Sequence, residues 1–224
     1  MFTTGTDSRK QPTPFGIKVL VVEDEPECLR RFCGAVAAEP ALTLVGSART
    51  VAEACSLVDR VAPDVVLADL GLPDGRGIDV IRHSKAGDAS RDVIVVTVFG
   101  DVGHVIDSIR AGATGYLLKD ALPRDIAGAI LQVHDGGSPI SPAIARRILQ
   151  SLQVPDADHA AADDAGSPGR LSARETQILR LVEKGLSFKE VGAALAISSH
   201  TVTTHVKRIY QKLEDAFDVG GHRV

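Results

Sequence analysis

Five side chains in this sequence have the chemistry to handle a phosphoryl group, and each follows an apolar run. Asp69 closes the run from Asp64 to Ala68 and begins the turn Leu70-Gly71-Leu72-Pro73-Asp74-Gly75, while Glu23 and Asp24 follow Ile17 to Val22. Thr97 follows Val93 to Val96, and Lys119 follows Gly115-Tyr116-Leu117-Leu118. Glu23, Asp24 and Asp69 offer hard oxygen donors, the ligand chemistry that Mg2+ prefers. A carboxylate nucleophile approaching an anionic phosphorus needs such a cation to offset the repulsion, and Asp69 could then form an acyl phosphate. Lys119 can pair with a phosphoryl oxygen as a point charge, and Thr97 can donate one hydrogen bond. Nothing points to an organic cofactor.

One acid after a strand is ordinary turn chemistry. Acid pair, acid, hydroxyl and lysine at four successive strand ends need a scaffold that gathers them. Candidate strands lie at 17–22, 42–47, 64–69, 93–97 and 114–118, and candidate helices at 26–38, 50–61, 76–85, 101–111 and 123–135. Five βα units predict a doubly wound, flavodoxin-like sheet of five parallel strands, whose carboxyl edge collects all of these residues. Pro26 and Pro123 suit the first turns of helices, and Gly112 and Gly136 suit their C-terminal ends.

Beyond Gly137 the pattern changes. Ser141 to Leu152 reads as one more helix, and Val154 to Gly169 is built of Ala, Asp, Gly, Ser and Pro, a composition that predicts a flexible linker. Ser172-Ala173-Arg174-Glu175 and Ser187-Phe188-Lys189-Glu190 are two capping boxes, each placed before an apolar stripe. A third helix is expected from Ser199 to Leu213, with Val202, Val206, Ile209 and Leu213 on its buried face, which makes a helix-turn-helix. The opposite face offers Thr203, Thr204, Lys207, Arg208 and Gln211 to base edges and phosphates. From 171 to 214, seven Lys and Arg face four Glu, a net +3 that leaves −7 for the rest of a chain of net −4. Positive charge is thus concentrated where DNA would lie.

At 224 residues and 44% hydrophobic content, the chain is long enough for two packed modules. It has no apolar run of membrane-spanning length, and the polar start from Met1 to Gly16 is unlike a secretory signal, so the cytoplasm is the expected location and no membrane partner is expected. Cys28, Cys33 and Cys55 lack C-x-x-C spacing and read as reduced thiols.

The order of strand-end residues resembles the receiver domain of two-component response regulators. The resemblance implies that Glu23, Asp24, Asp69 and the backbone carbonyl of Gly71 hold Mg2+, and that Asp69 is phosphorylated by a sensor histidine kinase. Thr97 and Lys119 would contact the phosphoryl group, and Thr97 and Tyr116 would act as the conformational switch. Leu171 to Glu175, Gly185 to Glu190 and Ile197 to His205 resemble the LuxR-type helix-turn-helix, so the whole is similar to response regulators of the NarL and FixJ type. That implies promoter DNA as partner, Lys189, His200, Thr203, Thr204, Lys207, Arg208 and Gln211 as DNA-binding residues, and a phosphorylation-dependent homodimer. In the unphosphorylated form the receiver would cover the third helix of the output module, and on phosphorylation Tyr116 would move inward. No enzymatic turnover is implied beyond phosphoryl acceptance and loss.

The expected division is a disordered start (1–16), a receiver (17–137), a linker helix with an acidic linker (138–170) and an output domain (171–224). Two departures from the family are expected: Thr203 stands where Lys is frequent, and the short, Gly-broken end after Leu213 reads as a fourth helix that is missing or vestigial. A regulator working through protein contacts, with a truncated and weakly DNA-binding output module, is therefore the alternative. A phosphatase with an Asp nucleophile ranks below both, since it calls for Asp-x-Asp after the first strand, where Glu23-Asp24-Glu25 stands.

Overall fold

Short apolar runs and segments of helical period alternate through the first half of the chain, and the fold follows that alternation. The computed structural model describes residues 16–98, 102–119, 126–152 and 170–220. The expectations for Met1 to Phe15, for the start of a helix at Pro123 and for the linker from Val154 to Gly169 lie outside the described residues.

Strands β1 (Ile17–Val22), β2 (Leu42–Ala48) and β3 (Val65–Ala68) come first, with helices α1 (Pro26–Ala38) and α2 (Val51–Val61) between them. Next come a two-residue hairpin, β4 (Gly71–Leu72) and β5 (Gly75–Arg76), and then α3 (Gly77–Gly87), β6 (Asp92–Thr97), α4 (Val102–Arg110), β7 (Gly115–Leu118) and α5 (Ile126–His134). The five long strands are parallel in the order β2-β1-β3-β6-β7. This is the flavodoxin-like order, and its reversal beside β1 opens a crevice at the carboxyl edge. The hairpin was expected only as a turn.

Alternate residues of each strand feed two layers. Val19, Val21, Val65, Leu67, Ile94 and Val96 pack on Phe32 and Val36 of α1 and Ile130 and Val133 of α5. Leu20, Val22, Val66, Ala68, Val93 and Val95 pack toward α2, α3 and α4 through Val58, Ile78, Ile81 and Ile106. Burial on both faces is why these strands read as unbroken apolar runs. The C-terminal turns use Gly112 at φ +103° and Gly136 at φ +82°, a region L side chains rarely adopt.

Both sheet edges are modified. On β2, Leu44 pairs with Val19 and Gly46 with Leu20, so Val45 is bulged out of the edge ladder. At the other edge, residues 139–141 lie along β7: the Tyr116 amide donates to Pro139 O at 3.0 Å, and the Ser141 amide donates to Tyr116 O at 3.3 Å.

From that strap the chain enters α6 (Pro142–Ser151), and after the linker come α7 (Ala173–Glu183), α8 (Phe188–Ala194) and α9 (Ser199–Gly220). The apolar layer of α2, α3 and α4 continues through Ile144 and Ile148 into Ile178, Leu179, Val206, Ile209 and Leu213. One core therefore joins sheet and helical module. Contrary to expectation, α9 does not stop at Leu213. It runs seven residues further to Gly220, because Glu214, Asp215 and Ala216 are compatible with helix and no glycine or proline intervenes. No separate fourth helix follows among the described residues. No described helix is long and apolar enough to cross a membrane.

Candidate functional site

The end of each parallel strand delivers one chemical group to the crevice. Glu23, at the end of β1, is fully buried, and Asp69, just past β3, is 5% exposed. Their backbones extend the ladders: the Glu23 amide donates to Ala48 O at 3.0 Å and the Asp69 amide to Val22 O at 3.0 Å. The Lys119 amide donates to Thr97 O at 2.9 Å, which seats the lysine beside β6. Its ammonium then donates to Glu23 Oε1 at 2.7 Å and to Asp69 Oδ2 at 2.9 Å, and lies 2.6 Å from Glu23 Oε2. Asp69 Oδ1 accepts from the Leu70 amide at 2.6 Å. Carboxylate oxygens of Glu23, Asp24 and Asp69 lie within 4.8 Å of one another.

Lys119 pairs with two of the three carboxylates, Glu23 and Asp69, so one ammonium stands against three acids and the cluster keeps an excess of negative charge that a divalent cation would balance. Burial pushes the Glu23 carboxyl up, against the lowering effect of the Lys119 and Glu25 contacts. Burial alone would lower Lys119, but its hydrogen bonds to Glu23 and Asp69 outweigh that and raise it. Glu23 Oε2 is buried and meets the Lys119 ammonium at 2.6 Å without a well-formed hydrogen bond, and the oxygens of three carboxylates gathered within 4.8 Å are the hard donors that Mg2+ prefers. The donor set therefore fits Mg2+.

Thr97 is fully buried at the end of β6. Tyr116 is 1% exposed and lies in one apolar cluster with Ile140, Ile144 and Tyr210. The ring expected to move inward is already inside, because the 139–141 strap and α6 cover it. Glu25, next to the acid pair, is exposed and serves α1, accepting the amides of Glu27 at 2.9 Å and Cys28 at 2.6 Å.

Sequence reasoning passed over three residues here. Asp74 accepts the amides of Val51 and Ala52, and Arg49 donates to the carbonyl of Asp24. These contacts span more than twenty positions, so no local pattern announces them. Gly77 touches the backbone of Asp69 so closely that a Cβ there would stand 1.9 Å from Asp69 O. Glycine beyond a strand-end acid is the one signal that was readable.

In the helical module both capping boxes form, with the Ser172 amide donating to Glu175 at 2.7 Å and the Ser187 amide donating to Glu190 at 2.8 Å. The turn between α8 and α9 places Ala196 at φ +53° and brings Ile197 O so close to Gly192 that a Cβ would lie at 2.7 Å. Lys189, His200, Thr204, Lys207, Arg208 and Gln211 are exposed. Thr203 is not: it is 6% exposed and donates to Ser199 O at 3.2 Å. It stands in line with buried Tyr210, seven residues on, so the covered stripe of α9 is wider than the four apolar residues alone indicate. Two of the seven cations are also committed internally, since Arg174 donates to Leu195 O and Lys212 pairs with Glu175 at 2.8 Å. The receiver meets α9 on its side: α4 packs against it, and Arg110 donates to Glu214 O at 3.3 Å. The receiver was expected to cover this third helix; it lies along one side of α9, while Thr204, Lys207, Arg208 and Gln211 stay exposed.

Residues 19–131 match the response regulator receiver domain, and residues 169–216 match the luxR family of bacterial regulatory proteins. The uncharacterized transcriptional regulatory protein YhcZ of Bacillus subtilis is 32% identical over 200 residues, 89% of this chain and 91% of that protein. The DNA-binding transcriptional activator DevR/DosR of Mycobacterium tuberculosis is 30% identical over 197 residues, 88% of each. A LuxR-family two-component response regulator from an Aurantimonas species is similar in structure, with a TM-score of 0.57 at 27% identity, over 60% of this chain and 96% of that one.

Proposed function

The chain belongs to the response regulators that join a receiver domain to a LuxR-type DNA-binding domain, and from that membership we propose that Asp69 accepts a phosphoryl group from a histidine kinase and so controls promoter binding by α9. The observation that carries this is the position of Asp69, 5% exposed at the crevice and 2.9 Å from the Lys119 ammonium, with Glu23 and Asp24 close by. Residues 17–137 form the receiver, 138–170 the connection and 171–224 the output module.

Glu23, Asp24, Asp69 and the Gly71 carbonyl hold Mg2+, which offsets repulsion between carboxylate and phosphoryl oxygens when bound. An Asp69 oxygen bonds to phosphorus as the P–N bond of phosphohistidine breaks, and the imidazole leaves with the electron pair and takes up a proton. Lys119 exchanges part of its pairing with Glu23 and Asp69 for a phosphoryl oxygen, and Thr97 supplies a hydroxyl to another. Thr204, Lys207, Arg208 and Gln211 meet the major groove, with Lys189 and His200 beside them. Phosphorylation favours a homodimer on paired half-sites.

Asp69→Asn keeps the shape and removes the nucleophile. With Mg2+ and acetyl phosphate, the wild type is expected to acquire a label that alkali and hydroxylamine release, and the variant none; equal labelling of both would refute Asp69 as the acceptor.

A further inference from the structure

We infer that Arg49 and Asp74 are positioning residues which hold the two metal-bearing loops at a fixed separation from the N-terminus of α2, an inference that rests on the assignment of Glu23, Asp24 and Asp69 as a Mg2+ site. Helix α2 already has a local cap, since Thr50 Oγ1 accepts the Glu53 amide at 3.1 Å. The two preceding amides go elsewhere in the chain: Val51 donates to Asp74 Oδ1 at 2.7 Å and Ala52 to Asp74 Oδ2 at 3.0 Å. Both oxygens of one carboxylate are thus spent on the end of a helix that lies some twenty residues earlier, and these bonds hold the Asp74 carboxyl below its usual range.

The beneficiary is the hairpin. Strands of two residues have little stability of their own. This one is closed at its base by the Gly77 amide, which donates to Leu70 O at 2.9 Å, and its tip is fastened by Asp74. Gly71, whose carbonyl is the candidate ligand, pairs with Arg76 between those two fastenings. Asp69 lies immediately before the base, so a loose tip frees both ligands.

Arg49 does the same for the other loop. Its Nε and Nη2 donate to the carbonyl of Asp24 at 3.1 and 2.8 Å, while its own amide is fixed on Glu53 at 2.9 Å. Residues 49–52 therefore grip the acid-pair loop with a guanidinium and the Asp69 loop with two amides. Mg2+ demands near-ideal octahedral geometry, so its affinity responds to small displacements of ligands that come from separate loops. Partners behind the ligands of a metal commonly change affinity by about 10-fold or more.

Mg2+ is titrated calorimetrically into the full-length chain and into Asp74→Ala, Asp74→Asn, Arg49→Ala, Thr50→Ala and Asp24→Ala. Asp74→Ala and Arg49→Ala are expected to weaken Mg2+ binding by about 10-fold, with Asp74→Asn in between because it keeps one acceptor oxygen. Thr50→Ala removes a cap from the same helix without touching either loop, and is expected to bind Mg2+ as the wild type does. At saturating Mg2+, labelling of Asp74→Ala by acetyl phosphate returns to within about 2-fold of wild type, as a positioning role requires. If Asp74→Ala and Arg49→Ala titrate like Thr50→Ala while Asp24→Ala fails to bind, the bracket is wrong and the metal site stands. If the wild type takes up no Mg2+, or Asp24→Ala binds it undiminished, the metal assignment itself falls.

Discussion

Asp24 and Glu25 are adjacent acids with different occupations. Asp24 turns a carboxylate oxygen toward those of Glu23 and Asp69, whereas Glu25 spends both of its oxygens on the first amides of α1. The amide of Glu27 first, and then Cys28, hold the Glu25 carboxyl down to about 2. A carboxyl lowered by folding contributes its stability in full above its ordinary value of 4.5 and loses it as pH falls toward about 2. Asp24→Ala is therefore expected to weaken Mg2+ binding with little change in urea stability at pH 7. Glu25→Ala is expected to leave Mg2+ binding alone and lower stability at pH 7, the difference from wild type shrinking as the pH is taken from about 4.5 toward 2. Identical Mg2+ titrations for the two variants would place the metal register on the wrong acid.

At the scale of elements, Glu175 is the residue on which the helical module turns. It closes the capping box of α7 and also receives Lys212 from α9 at 2.8 Å, while its side chain is almost wholly buried. Burial raises its carboxyl, but the Lys212 and Ser172 contacts outweigh that and leave it lowered. Glu175→Gln is expected to destabilise the module by about 2 kcal/mol at pH 7, the range for a charged hydrogen bond. The deficit should close as pH drops below about 4.5, since the lowered carboxyl then protonates in the unfolded chain first; a deficit unchanged at pH 3 would mean packing, not charge, is lost. The box itself was legible because Ser-x-x-Glu before an apolar stripe is a local pattern. The five strands were legible for a similar reason, as runs buried on both faces. The β4–β5 hairpin escaped because two-residue strands carry no alternation. The end of α9 was not legible because Gly220 and Gly221 mark a break, yet Glu214, Asp215 and Ala216 before them carry no helix breaker and the helix continues to Gly220. Thr203 was placed on the wrong side since the width of a buried face depends on what packs against it.

At the scale of the molecule, Tyr210 stands where the modules meet. Its side chain lies in the cluster that contains Tyr116, Ile140 and Ile144, and burial raises its phenol. The hydroxyl lies near Ser138 without a well-formed hydrogen bond, so what holds it is apolar packing. Ser138 adjoins the 139–141 strap, and the strap is bonded to the backbone of Tyr116. A shift of β7 on phosphorylation would thus reach α9 through a continuous set of contacts. An α-helix in the major groove has phosphates on both flanks, so a receiver along one flank of α9 opposes entry even though Lys207 and Arg208 are exposed. Truncating a buried aromatic side chain to Ala removes about 3 kcal/mol or more, and this one lies in the cluster that joins the two modules. Unphosphorylated Tyr210→Ala is therefore expected to bind promoter DNA more tightly than unphosphorylated wild type, approaching the affinity of the phosphorylated protein, because the fraction of open molecules no longer limits apparent affinity. The isolated segment 170–224 carrying the same change serves as the control and should bind no better than its parent. If full-length Tyr210→Ala gains nothing while both isolated segments bind normally, the contact between receiver and α9 exerts no restraint, and control must act through dimerisation alone.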